Sequence, residues 1–152
     1  MGHSYTNLKY HVIFSTRKRM PLLHAGLESE MYRYIGGIIQ NKNGQIIGIG
    51  GIDDHIHILA GFHQSRSVAG MVGAIKSNSS SFGKELGSLG FGWQTGYSAF
   101  SVSESKIPEV RRYIQLQREH HRRMSYEDEM REICRLHGLE LDESYFADDE
   151  PA

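Results

Sequence analysis

The chain has 152 residues, of which 39% are hydrophobic and 23% charged, and its formal net charge is -1. That size suits one domain with a real core. No 18-residue apolar run or basic-then-apolar leader occurs, so neither a membrane span nor a signal peptide is expected. The single cysteine, Cys134, excludes an intrachain disulfide, and the natural setting is a reducing, cytoplasmic one.

Charge is divided unevenly. Residues 1–125 hold 15 Lys/Arg against 8 Asp/Glu, and residues 126–152 hold 2 against 10. A basic body with an acidic tail fits a polyanion binder, and it equally fits two solvated surfaces of uneven charge.

The β-branched and aromatic run from Leu8 to Ser15 predicts a strand. The basic cluster Arg17-Lys18-Arg19 follows it. From Ala25 to Asn41, Leu27, Met31, Tyr34, Ile35 and Ile38 recur at helical spacing, and Asn43-Gly44 marks a turn. Gln45 to Ile52 and His55 to Phe62 read as two strands joined at Asp53-Asp54. In the first of these, Gly48 and Gly50 share one face, which admits the close approach of either a helix or a ligand.

Ser67 to about Leu86 predicts an amphipathic helix whose middle, Lys76-Ser77-Asn78-Ser79-Ser80-Ser81, is unusually polar. Those short donors suit phosphates or a plain solvent face. Gln94 to Val102 predicts a fourth strand, and Ser105 and Pro108 open a helix reaching about Arg123. A last helix starts at Ser125, with Asp128 as its capping-box partner, and ends near Gly138. The stretch from Leu139 on is acidic and reads as loosely held. The order β-α-β-β-α-β followed by helices is the ferredoxin-like plan, an α+β fold in which the first and third strands are central. One domain over residues 1–140 and an acidic tail over 141–152 are expected.

His55 and His57 flank Ile56 on the third strand and therefore project from one face. Two imidazoles so placed are potential ligands for a divalent metal, and the plainer alternative is a polar strand face. Aspartates directly precede them, where a carboxylate can orient an imidazole. On the later helix Val110, Tyr113, Ile114 and Gln117 form one stripe. Tyr113 is there a core tyrosine or a nucleophile, and a buried Gln117 amide needs partners.

Together these motifs resemble the single-tyrosine HUH transposases, small insertion-sequence enzymes with domesticated relatives that act on repetitive extragenic palindromes. The resemblance is carried by Asp54-His55-Ile56-His57, the Lys76-to-Ser80 run, the Trp93-to-Ser103 run, Tyr113-Ile114-Gln115-Leu116-Gln117-Arg118-Glu119-His120-His121, and the stretch from His137 to Tyr145. It implies His55, His57 and Gln117 as ligands of Mg²⁺ or Mn²⁺. It also implies Tyr113 as a nucleophile that cleaves and rejoins single-stranded DNA near hairpins through a 5′-phosphotyrosine link. A homodimer whose active sites are shared between subunits is implied too. Arg17, Lys18, Arg19, Lys76, Arg111, Arg112 and Arg118 are the candidate DNA-backbone contacts. Two other readings stand beside this one: a domesticated hairpin-binding or palindrome-processing protein, and a non-catalytic ferredoxin-like nucleic-acid-binding module.

Overall fold

The computed structural model describes residues 2–88 and 90–147. The strands are β1 (Lys9–Ser15), β2 (Gln45–Ile52), β3 (His55–Gly61) and β4 (Ser98–Ser101). The helices are α1 (Ala25–Asn41), α2 (Val68–Glu85), α3 (Ile107–Gln115), α4 (Gln117–His120), α5 (Tyr126–Leu136) and α6 (Ser144–Ala147). The strands form one antiparallel sheet in the order β2-β3-β1-β4. This is the expected α+β ferredoxin-like arrangement, with the first and third strands in the middle. No helix among the described residues is long and apolar enough to cross a membrane.

Each face of the sheet is covered by different helices. Val12, Phe14, Ile56, Ile58 and Ala60 pack with α1 and α2 through Leu27, Met31, Ile35, Met71 and Ile75. On the other face, Ile13 and Phe100 meet Tyr126, Met130, Ile133 and Cys134 of α5, with Tyr113 and Leu141 alongside. Because side chains alternate along a strand, this second face also receives His11 from β1 and His55 and His57 from β3. All three are buried.

Helix α3 reaches that face by lying across β2. The Gly50 position is what admits it: a Cβ there would stand 2.7 Å from the Ile114 carbonyl oxygen and 3.1 Å from its Cγ2. Of the two uses open to a glycine-bare strand face, the structure adopts helix packing. The preceding turn departs from expectation in one respect. The positive φ falls on Asn43, at 61°, rather than on Gly44, since Asn tolerates the left-handed region. Gly44 is required because a Cβ would press on the Gly61 carbonyl oxygen at 2.8 Å.

Four local expectations are corrected. The fourth strand is short, because Gln94 closes the end of β1 instead of extending β4: its amide N–H donates to the Ser15 carbonyl at 2.8 Å and its Oε1 accepts from the Ser15 N–H at 2.7 Å. The tyrosine-bearing helix is interrupted at Leu116 (φ -101°, ψ 19°) and is helical only to His120. Ser125 caps α5 by accepting from the Asp128 N–H, but the Asp128 carboxylate accepts from Arg131 and does not close a capping box. The polar middle of α2 is partly structural, since buried Ser79 accepts from Trp93 Nε1 at 2.8 Å and donates to the Ile75 carbonyl.

The segment after Leu139 is held rather than loose as far as Ala147. Leu141 and Phe146 pack beside α5, Glu143 pairs with Arg131, and Ser98 donates to the Tyr145 hydroxyl. Residues 148–152 of the expected tail lie outside the described residues.

The β2–α3 contact makes a direct test. Gly50→Val should destabilise the protein by about 1–3 kcal/mol through overpacking. Gly73→Ala, with nothing within 4 Å of its new Cβ, should stabilise it by about 0.5–1 kcal/mol through helix propensity. Urea titrations of the two variants check both signs.

Candidate active site

On β3, His55 and His57 extend from the sheet's second face, and each ring is oriented through its Nδ1. His55 Nδ1 lies 2.8 Å from Asp54 Oδ1, and His57 Nδ1 lies 2.8 Å from His11 Nε2. Both rings therefore turn Nε2 toward the helices. His121, just after α4, points its own Nε2 to the same place.

The three nitrogens converge on Glu129, which is fully buried on α5. Its Oε1 is 3.3 Å from His55 Nε2, 3.3 Å from His57 Nε2 and 2.9 Å from His121 Nε2. One ligand atom from each of these four residues lies within 4.8 Å of all the others. Gln117 adds its Oε1, 3.2 Å from His55 Nε2 and 3.0 Å from His121 Nε2. The other Glu129 oxygen accepts from Gln117 Nε2 at 2.8 Å and from the Tyr113 hydroxyl. Tyr113 also lies 3.3 Å from His120 Nε2, and its ring sits 5.8 Å from that of His57.

Electrostatics follow from this enclosure. Burial holds the His57 pKa down at about 4, and burial together with the neighbouring His57 holds His11 well below its usual value. Burial acts on His55 in the same sense, but hydrogen bonds to Asp54 and Glu129 overcome it and raise that pKa. Glu129 is likewise opposed by burial, yet the surrounding imidazoles keep its carboxyl far below the usual range. Burial and the Glu129 charge both raise the pKa of Tyr113, so its phenol is protonated at neutral pH.

The donor set suits a divalent cation. It joins imidazole nitrogens with one carboxylate and one amide oxygen, all buried and mutually oriented. His55, His57 and Gln117 would hold the ion, with His121 and Glu129 beside them.

The sequence had singled out His55, His57, Tyr113 and Gln117, and the fold brings them together in one chain. The tyrosine helix packs on its own chain's sheet, where the Tyr113 ring lies 5.8 Å from that of His57. The cationic candidates are more scattered. Arg118 pairs with Glu28 and, at 3.6 Å, with Asp53. Arg19 pairs with Asp54 and Glu127. Lys76 donates to the Thr95 and Gly96 carbonyls. The Arg17 guanidinium lies against Gly92, the Arg111 stem against Gly48, and Lys18 and Arg112 are exposed.

Sequence reasoning missed Glu129, His121 and His11 as site residues. Two of them gave a signal: Glu129 falls on the apolar stripe of Tyr126, Met130, Ile133 and Cys134, and His11 shares its strand face with Ile13. Tyr113 is reached from outside through a cleft of about 480 Å³, which Leu116, Glu119, His120, Arg122, Arg123 and Met124 also line.

The family model for IS200-like transposases matches residues 4–117, and the chain belongs to that family. Two solved structures are similar in fold. One is a candidate transposase from Deinococcus radiodurans R1, with 22% identity and a TM-score of 0.63, covering 77% of this chain and 96% of that one. The other is a REP-associated tyrosine transposase bound to a REP hairpin, with 13% identity and a TM-score of 0.60, covering 80% of this chain and 73% of that one. No curated protein matches.

The imidazoles make stability depend on pH. A histidine whose folded pKa lies below its unfolded 6.5 leaves the unfolded chain holding more protons between those values, so acid favours unfolding. His57 acts this way from pH 6.5 down to about 4, and His11 acts in the same sense. His55 acts oppositely, its contribution being present below 6.5 and lost as pH rises through its higher folded value. Two imidazoles outweigh one. In chelator, Tm should fall by several degrees from pH 7 to pH 5. A level or rising Tm would show that His55 dominates.

Proposed function

We propose that the protein is a metal-dependent single-stranded DNA transposase that cuts and rejoins strands near hairpins through a 5′-phosphotyrosine link at Tyr113. The observation that carries this reading is the contact between the Tyr113 hydroxyl and the Glu129 carboxylate, which ties a nucleophile to the histidine cluster within one chain. Family membership supports the class, and the hairpin-bound structural relative motivates the choice of substrate.

Tyr113 attacks phosphorus as the P–O3′ bond breaks, leaving a tyrosyl phosphodiester on the 5′ end of the downstream strand and a free 3′-hydroxyl on the upstream one. Its phenol is protonated at neutral pH, so the proton must leave during attack; Glu129 Oε2 accepts its hydrogen bond and orients it, and His120 Nε2, 3.3 Å away, is the base within reach. His55, His57 and Gln117 would hold the ion, Mg²⁺ or Mn²⁺ in the first instance. When bound, the cation neutralises phosphate charge and stabilises the departing alkoxide. Asp54 and His11 fix the two imidazoles through Nδ1. Arg122 and Arg123 line the cleft that opens on Tyr113 and are placed to meet a DNA backbone. Arg17, Lys18, Arg111 and Arg112 extend the basic surface, whereas Arg19, Arg118 and Lys76 must exchange their present partners for phosphate. The tyrosyl link keeps the bond energy of the cut strand, so a second 3′-hydroxyl can reverse the step. A homodimer would bring two such sites to paired element ends.

The test is a denaturing gel after incubation with Mn²⁺ and a single-stranded hairpin substrate labelled on the 5′-phosphate side of the cut. A covalent protein–DNA band is expected, lost in Tyr113→Phe and with chelator. A band that persists in Tyr113→Phe would sink the mechanism, and tight binding without any adduct favours the domesticated hairpin binder. Separately, Arg122→Ala/Arg123→Ala should weaken binding and lower the slope of log K against log salt by about 0.7 per lost phosphate contact. An unchanged slope would place the strand elsewhere.

A further inference from the structure

The family match ends at Gln117, yet two of the four residues that meet at the candidate metal centre lie beyond it. His121 follows α4 and Glu129 is on α5, and both are oriented as closely as the strand histidines.

We propose that His121 and Glu129 are metal ligands together with His55 and His57, and that the site therefore takes a first-row transition cation in preference to Mg²⁺. The proposal rests on the reading that His55 and His57 hold a metal, and it names two further ligands and a class of ion.

Spacing is the first argument. Four ligand atoms placed tetrahedrally at 2.0–2.1 Å from one ion lie about 3.3–3.4 Å apart. Glu129 Oε1 stands 3.3, 3.3 and 2.9 Å from the three imidazole nitrogens, so it occupies one vertex with the imidazoles at the others. The full set spans no more than 4.8 Å, which a small inward movement of side chains closes around an ion.

Hydrogen-bond capacity is the second. A carboxylate oxygen has two lone pairs, and three Nε2 atoms face Glu129 Oε1. Protons alone cannot satisfy that convergence well. A shared cation can, because each imidazole then offers a lone pair through Nε2. Both strand histidines are arranged for this: Asp54 accepts a hydrogen bond from His55 Nδ1–H, and His11 Nε2 can accept one from His57 Nδ1–H.

Ligand chemistry is the third. Mg²⁺ prefers oxygen ligands and keeps several of its waters. Three buried imidazoles with one carboxylate suit Mn²⁺, Co²⁺ or Zn²⁺ better. Gln117 Oε1, beside His55 and His121, supplies a fifth position. The second Glu129 oxygen remains on Tyr113, so the residue that would hold the ion also places the nucleophile.

Full-length protein stripped with chelator is titrated calorimetrically with Mn²⁺, Co²⁺ and Mg²⁺, and the visible spectrum of the Co²⁺ complex is recorded. Mn²⁺ and Co²⁺ should bind at least about tenfold more tightly than Mg²⁺. Loss of a ligand costs at least as much as loss of an outer partner, so His121→Ala and Glu129→Gln should each weaken Co²⁺ binding at least about tenfold. Both should also change the Co²⁺ spectrum, with circular dichroism unaltered. Should Glu129→Gln fail to fold, His121→Ala decides alone. If the variants bind and absorb as wild type while His55→Ala abolishes binding, the proposal is overturned and the reading of His55 and His57 stands. A preference for Mg²⁺, or no ion bound by the wild type, also overturns it. The Tyr113 adduct assay judges the transposase reading independently of these results.

Discussion

The buried Glu129 carboxylate is the interaction on which the rest of the site depends. A charge removed from water is costly unless opposite charge or strong donors surround it. Here three imidazoles, an amide and a phenol meet it, drawn from β3, the α3–α4 segment and the turn after α4. Those donors hold the carboxyl ionised against the effect of burial. The same convergence fixes α5 in position: Glu129 cannot stay buried if α5 slides, and the imidazoles cannot stay oriented if it leaves. Packing of Met130 and Ile133 around Ile13 and Phe100 then sets the helix's height above the sheet.

A sheet covered on both sides ordinarily has two apolar faces. One face here follows that pattern. The other carries His11, His55 and His57 at its centre with apolar packing around them, so the polar cluster is shielded from water on several sides. Low polarity raises the pKa of Tyr113 and strengthens each electrostatic contact around it. Tyr113 is the half-buried member at the border, with its ring toward the histidines and its access toward the arginine-lined cleft. The cleft therefore reaches Tyr113 before it reaches the buried donors behind it.

Much of the architecture was legible from pattern. Alternation in residues 8–15 and 55–62, helical spacing in residues 25–41 and 67–86, and the turn at Asn43-Gly44 all act through the local backbone, and the observed elements follow them closely. The errors fall where a distant segment takes over. Gln94 abandons strand pairing because it closes the end of β1 at Ser15, 79 positions away in sequence. Ser79 is no surface donor because Trp93 needs an acceptor. The arginines near Tyr113 read as one basic surface, yet Arg118 is drawn to Glu28 and Asp53 because α1 and the β2–β3 turn lie beside it.

The sequence by itself determined which segments are strands and which are helices, the shared face of His55 and His57, and the stripe that joins Tyr113 to Gln117. Each follows from a period of 2 or 3.6 residues along a single element. Only the tertiary structure decided that Glu129, His121 and His11 belong with them, and that Tyr113 lies against the histidines of its own chain. Those facts depend on how α3 and α5 cross the sheet. The crossing is set by the bare Gly50 surface and by the need of a buried carboxylate for partners, and both act across sequence separations that no local period encodes.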